Sequence, residues 1–406
     1  MDSLITAAAR ALAAGDPLGA LKRIALREDA SALALRGIAM AQLGDLARAK
    51  MLLRQATRAF GPNEPVSRAR CVVAEAEIAL VSRDLNWPAR TLEAARAALE
   101  QHADKVNAAH ARHLQVRRLL LIGQLDGAER ALANLDPAPF PPASRAAYEL
   151  VVAGIAIRRV RAKAARAALL LAERAAHWAA IPALAAEVQT AWSVLNSPAG
   201  RLIERGREQP VLLEDIEALL ASPTLIVDAC RHVLRQAGTM VALARRPVLF
   251  TLLRALGEVW PADVSRDTLI ARTFRAKRAN ESHRARLRVE MGRLRRLLKG
   301  VADIQATVRG YALIPKHASA VVVLAQPVEE KHAAVLGCLA DGQSWSTSAL
   351  SVALGASQRT VQRALDQLAA NGKVQSFGRA RARRWITAPV SGFTTTLLLP
   401  AALPIG

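Results

Sequence analysis

Between Ser282 and Lys299 the residues able to bond an anion recur at helical spacing. Ser282, Arg286, Val289, Arg293 and Arg296 stand at i, i+4, i+7, i+11 and i+14. At about 100° per residue they share one face of a helix, with Lys299 towards its far edge. Guanidinium forks bond phosphate oxygens or the guanine edge in pairs, and a valine among them can meet a thymine methyl. On the opposite side Leu287, Met291, Leu294 and Leu298 form an apolar stripe that must pack on other elements. The next segment, DIQATVRGYALI, reads as a hairpin with Arg309 near its turn.

A second set lies further on. Arg359, Thr360, Gln362 and Arg363 fall on the outward side of a helix whose inward stripe is Val361, Leu365 and Leu368. Ser357 is placed to cap that helix, and Leu350, Ala353 and Leu354 pack the one before it, with Gly355 turning the chain between them. The segment KVQSFGRARARRW alternates as a hairpin does and carries Lys373, Arg379, Arg381, Arg383 and Arg384 without an acid.

The bland alternative for both helices is a solvated outer face, and charge separates the two readings. The chain is net +22, and residues 263–316 hold 14 basic and five acidic side chains while residues 357–385 hold seven and one. Fifteen of the 22 net charges therefore sit in two short segments that coincide with the two helix-and-hairpin sets. Such a concentration suits a polyanion, with duplex DNA first and an anionic membrane second.

Other chemistry finds little support. His110 and His113, with His102 nearby, lack a cysteine or carboxylate placed to complete a metal site, and they read as solvent-facing helical residues. There is no phosphate-cradling GxxxxGK, no GxGxxG after a strand and no nucleophile elbow, so no catalytic residue, cofactor or metal is assigned. Cys71, Cys230 and Cys338 lie far apart and suit a reducing cytosol. The amino end lacks the basic run of a signal peptide, and prolines interrupt the apolar carboxyl tail well short of a membrane span, so a cytoplasmic protein is expected.

These sets need a scaffold. Aromatics make up only 3% of a chain rich in alanine and leucine, a mixture that favours closely packed helices. A turn followed by a helix recurs at Leu43, in SRDLNWPARTLEAARAAL, at Ile122 and from Arg158, with two periods of about 40 residues between Gly44 and Gly123. Helical pairs repeating at this length stack into a solenoid that binds protein or organises the chain. Trp87, Trp178 and Trp192 are expected to pack within or between its repeats. A plain helical bundle is the competing shape.

Three resemblances follow. Residues 33–60, through Gly37, Leu43, Gly44 and Ala49, resemble a tetratricopeptide repeat. Residues 225–314 resemble the winged-helix DNA-binding domain of OmpR/PhoB-type response regulators: LRVEMGRLRRLL is similar to the end of that family's recognition helix, IQATVRGYAL to its wing, and AGTMVALARRPVLFTLLRAL to its strand pair and first helix. The resemblance implies base-side roles for Arg286, Val289 and Arg293, and backbone or structural roles for Arg295, Arg296 and Arg309. ALSVALGASQRTVQRALDQLAANGKV, from Ala349, resembles a winged helix-turn-helix of the type found in many bacterial repressors.

The expected architecture is mainly α and multidomain: a TPR-like solenoid over residues 1–212, winged-helix α+β domains over 213–320 and 328–390, and an apolar tail over 391–406. The expected function is sequence-specific binding of double-stranded DNA in transcription regulation, with the repeats serving a protein partner or a homodimer. The competing function is a scaffold whose winged helices dock proteins.

Overall fold

The computed structural model describes residues 2–81, 87–121, 124–274, 276, 279–326, 332–339, 345–354, 356–378 and 383–387. It divides into two compact units, one of residues 1–159 and 163–194, the other beginning in the main at Leu195. The first unit carries α1 (Ser3–Ala13), α2 (Pro17–Ile24), α3 (Ala30–Gln42), α4 (Leu46–Ala59), α5 (Pro65–Val81), α6 (Ala89–Gln101), α7 (Lys105–Leu121), α8 (Leu125–Ala133), α9 (Pro142–Arg158), α10 (Ala162–Ala179) and α11 (Pro182–Leu195).

Helical pairs begin at Ala30, Pro65, Lys105 and Pro142, a repeat of 35 to 40 residues. The recurring turns read from sequence lead into the second helix of each pair. In the best-formed copy Gly44 takes a positive φ of 88°, and Asp45 then caps α4 by accepting from the Arg48 amide at 3.0 Å. Gly37 lies where α3 meets α4, and a Cβ there would come within 2.9 Å of Leu53 Cγ. A glycine therefore sets how closely that pair packs.

Two expectations fail in this unit. His110 and His113, read as solvent-facing, are only 2% and 1% exposed. His110 Nε2 lies 2.8 Å from Glu77 Oε2 on α5, and Arg117 donates to the same carboxylate at 3.4 Å. Helix α7 packs against α5, α6, α8 and α9, and its exposed positions among the described residues, Lys105 and Gln115, do not include either histidine. Trp178, expected to pack, is 77% exposed, while Trp87 and Trp192 are half-buried and Arg166 lies 5.8 Å from the Trp192 ring centroid.

His113 has no hydrogen-bond partner on either ring nitrogen among the described residues; it stacks beside His110 and meets Phe140 edge-on. Burial, then the charges of Arg117 and His110, hold its pKa well below the ordinary 6.5. The unfolded chain consequently takes up this proton first. The stability is complete above pH 6.5 and falls as the pH drops towards the depressed native value, by up to about 1.4 kcal/mol per pH unit. Replacing His113 with leucine should remove one proton's worth of that slope. The opening free energy of α7, from native-state hydrogen exchange at pH 7 and pH 5.5, checks this: wild type should lose more than the variant.

The second unit carries β1 (Gly200–Glu204), β2 (Arg207–Val211), α12 (Leu213–Ala221), β3 (Leu225–Asp228), β4 (Val233–Gln236), β5 (Thr239–Ala242), α13 (Pro247–Val259), β6 (Val264–Ser265), α14 (Arg266–Phe274), α15 (Glu281–Leu298), β7 (Ala302–Ala306), β8 (Gly310–Pro315), β9 (Val321–Ala325), α16 (Ala333–Leu339), α17 (Thr347–Leu354), α18 (Gln358–Ala370), β10 (Val374–Phe377) and β11 (Arg384–Thr387). A six-stranded sheet has the order β2-β1-β9-β3-β4-β5, with β3 and β9 parallel and the other neighbours antiparallel.

Alternation along the central strands divides this sheet into two apolar faces. Ile226, Val322 and Leu324 cluster with Ile216 of α12, while Leu225, Val227, Val321 and Val323 cluster with α13. Gly257 lets α13 close on the sheet, since a Cβ there would stand 3.1 Å from methyls of both Val227 and Val323.

The helical region thus ends earlier than residue 212. Gly200–Val211 is a hairpin turned at Arg205 and Gly206, both at positive φ. Its outer strand, REQPV, is polar and holds a proline, which an edge strand tolerates and a central one does not. At the other boundary, the valine run after residue 320 is the strand β9 within the sheet, and the sheet therefore extends past residue 320 to Ala325.

The rest of the unit repeats one order of elements. Helix α13, strand β6, helices α14 and α15, and the hairpin β7–β8 follow one another, with sheet order β6-β8-β7. Helix α16, a single-residue bridge at Trp345, helices α17 and α18, and the hairpin β10–β11 repeat it, with Trp345 paired to Trp385 of β11. The second set has its own core around Leu339, Leu350, Leu365 and Trp385. Among the described residues no helix is long and apolar enough to cross a membrane. The tail at 391–406, residues 82–86 of the second recurring turn, and the turns at Ile122 and Gly123 and at Gly355 lie outside the described residues.

Candidate nucleic-acid interface

Helix α15 is set by its two ends and its seam. Asn280 accepts from the His283 amide at 2.9 Å and starts the helix. Leu287, Met291, Leu294 and Leu298 are all buried in the core shared with α13 and α14. That seam turns the opposite stripe to solvent: Ser282, Arg286, Val289, Arg293, Arg296 and Lys299 are all exposed, as is Arg295 beside the seam.

Their partners differ, and the differences sort their chemistry. The Arg286 guanidinium lies 4.5 Å from the Phe274 ring centroid, a contact that leaves its N–H edge open. Arg293 bonds Glu290 one turn back at 2.8 Å, and Glu281 receives both Arg284 and Arg288. The exposed pairs of Glu281 contribute about 0–1 kcal/mol and yield readily to a phosphate, whereas Glu290 is half-buried beneath an exposed Arg293. Arg295 is engaged more firmly: it donates to the Ile304 carbonyl at 2.6 and 3.0 Å and lies 3.4 Å from Asp303, which ties the helix to β7. It holds the hairpin in place. Arg296 makes no hydrogen bond or ion pair to a described residue, and with Arg246, Pro247 and Arg293 it lines an open cleft at the start of α13.

The hairpin beside α15 turns through Thr307, Val308, Arg309 and Gly310. Val308 is 100% exposed, and Arg309 is exposed with no side-chain partner among the described residues. Gly310 is buried where β8 pairs with β6, and a Cβ on it would stand 1.8 Å from the Val264 carbonyl oxygen. The turn is therefore pressed against β6 by a residue that has no side chain.

The second set is more occupied. Ser357 caps α18 as the sequence suggests, accepting from the Thr360 amide at 3.1 Å, but the Thr360 hydroxyl is itself 2.8 Å from Ser357 Oγ. Gln362 accepts from Thr347 at 3.2 Å and donates to Asp366 at 2.8 Å, so it links α17 to α18. Arg359 and Arg363 are exposed and make no bond to a described residue; Lys373 is also exposed. Arg383 is exposed and stacks 4.4 Å from the Trp385 ring centroid, and Arg384 is half-buried. Arg379 and Arg381 lie outside the described residues.

Sequence reasoning missed Arg266. The residue after the Ser265 cap gave no sign of a role, yet its side chain reaches the hairpin turn. Among the described residues no group of three or more His, Cys, Asp or Glu side chains converges as a metal ion requires. Burial pushes the Cys71 and Cys230 thiols up to about 12, far from the thiolate that nucleophilic chemistry uses. No protein-family model, curated protein or solved structure matches this chain.

Proposed function

We propose that the chain is a sequence-specific regulator of transcription that binds double-stranded DNA through two winged helix-turn-helix domains, the first of OmpR/PhoB type. The observation that carries this reading is the stripe of Arg286, Val289, Arg293 and Arg296 on α15, turned outward by a buried leucine and methionine seam beside a hairpin tipped with Arg309. A helix of this width enters a major groove, and the hairpin reaches the neighbouring backbone or minor groove. Arg359, Arg363 and Lys373 support a second contact, chiefly with phosphates. Two modest interfaces on one chain gain through effective concentration. The TPR-like repeats serve a protein partner or a homodimer in this reading, which requires no catalysis and places the protein on cytoplasmic, nucleoid DNA.

Duplex affinity as a function of salt tests the proposal. Five exposed cations, Arg296 and Lys299 of the first domain and Arg359, Arg363 and Lys373 of the second, face the DNA backbone in this arrangement. If most of them meet phosphates, log K should fall against log salt with a slope steeper than about −3, since each phosphate contact contributes about −0.9. Affinity for DNA independent of salt, with firm capture of a protein by the helix α15 face, would establish the scaffold reading instead.

A further inference from the structure

One arginine bonds three carbonyls of a single turn. Arg266 Nη2 donates to the Thr307 carbonyl at 3.0 Å, Nη1 to the Val308 carbonyl at 2.8 Å, and the Arg266 backbone amide to the Arg309 carbonyl at 3.2 Å. Three successive carbonyls of the hairpin tip accept from a single arginine at the first position of α14. Its guanidinium also lies 5.5 Å from the Tyr311 ring centroid. Thr307 closes the remaining groups: its amide donates to the Gly310 carbonyl at 3.0 Å, while its hydroxyl accepts from the Gly310 amide at 2.8 Å and donates to Asp263 at 2.6 Å.

A tight hairpin turn needs one bond across its ends, and water satisfies its outward carbonyls without cost. This turn spends a half-buried arginine and a half-buried aspartate on four residues. No apolar side chain at the tip is buried in return, because Val308 is wholly exposed. The network does not hold a core together; it holds a shape. Fixing the backbone in advance removes the ordering cost that a flexible loop meets on binding.

The chemistry of the fixed tip is an apolar side chain next to a free guanidinium. A minor groove offers that pair its complement: sugar walls for the valine and, where the groove narrows over A·T-rich sequence, enhanced negative potential for the arginine. We propose that Arg266 is a positioning residue that pre-orders the Thr307–Gly310 turn, so that Val308 and Arg309 enter the minor groove together. The inference rests on the DNA-binding reading above and adds to it the residue that makes the hairpin a rigid probe.

The experiment is a double-mutant cycle in the full chain. Binding is measured at one salt concentration, to a duplex chosen by selection from random sequence, for wild type, Arg266→Ala, Arg309→Ala and the double variant. Arg266→Ala and Arg309→Ala should each weaken binding about tenfold, and the double variant should be little weaker than either, because Arg266 acts through the tip. Hydrogen exchange at the Val308 and Arg309 amides of the free protein should quicken in Arg266→Ala. Arg266→Lys should restore only part of both effects, since an ammonium cannot span two carbonyls as the fork does. Thr307→Val, which leaves Arg266 intact but removes its neighbour's bonds, should give the same coupled loss and serves if Arg266→Ala does not fold. Wild-type affinity in Arg266→Ala, or losses that multiply to about a hundredfold, would overturn the proposal while leaving DNA binding intact. Wild type that binds no duplex at low salt would overturn the DNA reading and this one with it.

Discussion

Alanine at both Arg286 and Arg293 is expected to weaken binding to the preferred duplex by about 30- to 1000-fold and to flatten the preference among sequences. The range follows from about 1–3 kcal/mol for each bidentate base contact, less the contacts these arginines already hold in the free protein. In the free protein Arg293 bonds Glu290, a contact a base would have to displace, and Arg286 stacks on Phe274, a contact compatible with a bound base. The double variant should fold as wild type does, because neither side chain enters the core. Arg309→Ala should act differently, weakening binding while leaving intact the preference that α15 sets in the major groove. Selection from random duplexes with each variant separates the two roles; an unchanged preference in the double variant would remove α15 from the major groove.

The second large effect is in the helical unit. Glu77 is fully buried on α5 and accepts from both His110 and Arg117 of α7. Burial lowers the Arg117 pKa, and the charges of Glu77 and Glu187 oppose that shift. Glu77→Ala removes the nearer carboxylate and leaves a buried guanidinium short of its compensation, a loss of about 3–5 kcal/mol in comparable pairs. The expected result is early melting of the repeats around α5 and α7, with DNA binding by the second unit retained in whatever fraction stays soluble. Melting followed by circular dichroism, with exchange rates for α5 and α7, would show it; an unshifted transition would mean that the cluster relaxes by admitting water.

The core of the second unit was legible because its signals are periodic. The seam of Leu287, Met291, Leu294 and Leu298, the Ser357 cap and the hairpin after residue 302 all depend on near neighbours in sequence, and each stands where the spacing places it. The second helix of each pair in the helical unit, starting at Leu46, Ala89, Leu125 and Ala162, was legible for the same reason. What escaped depends on partners far apart in the chain. Strand β9 reads as a linker until its neighbours β1 and β3 are present, and the polar β2 reads as a loop until it is seen to be an edge. His110 and His113 carry no mark of burial on their own helix; Glu77, 33 residues earlier, supplies it for His110. Thr360 and Gln362 are polar and outward on a helical wheel, but Ser357 and Thr347 occupy them. Arg266 and its turn are 41 or 42 residues apart, beyond any local pattern.

The antiparallel pairing of β1 with β9 places Arg201 opposite Ala325, and Arg201 bonds the Gln326 carbonyl at 2.9 Å. The chain therefore enters and leaves this sheet side by side. A segment whose ends meet is a cassette: it can be cut out as residues 195–326, or spliced into a surface loop of an unrelated host, with no stretch of either backbone.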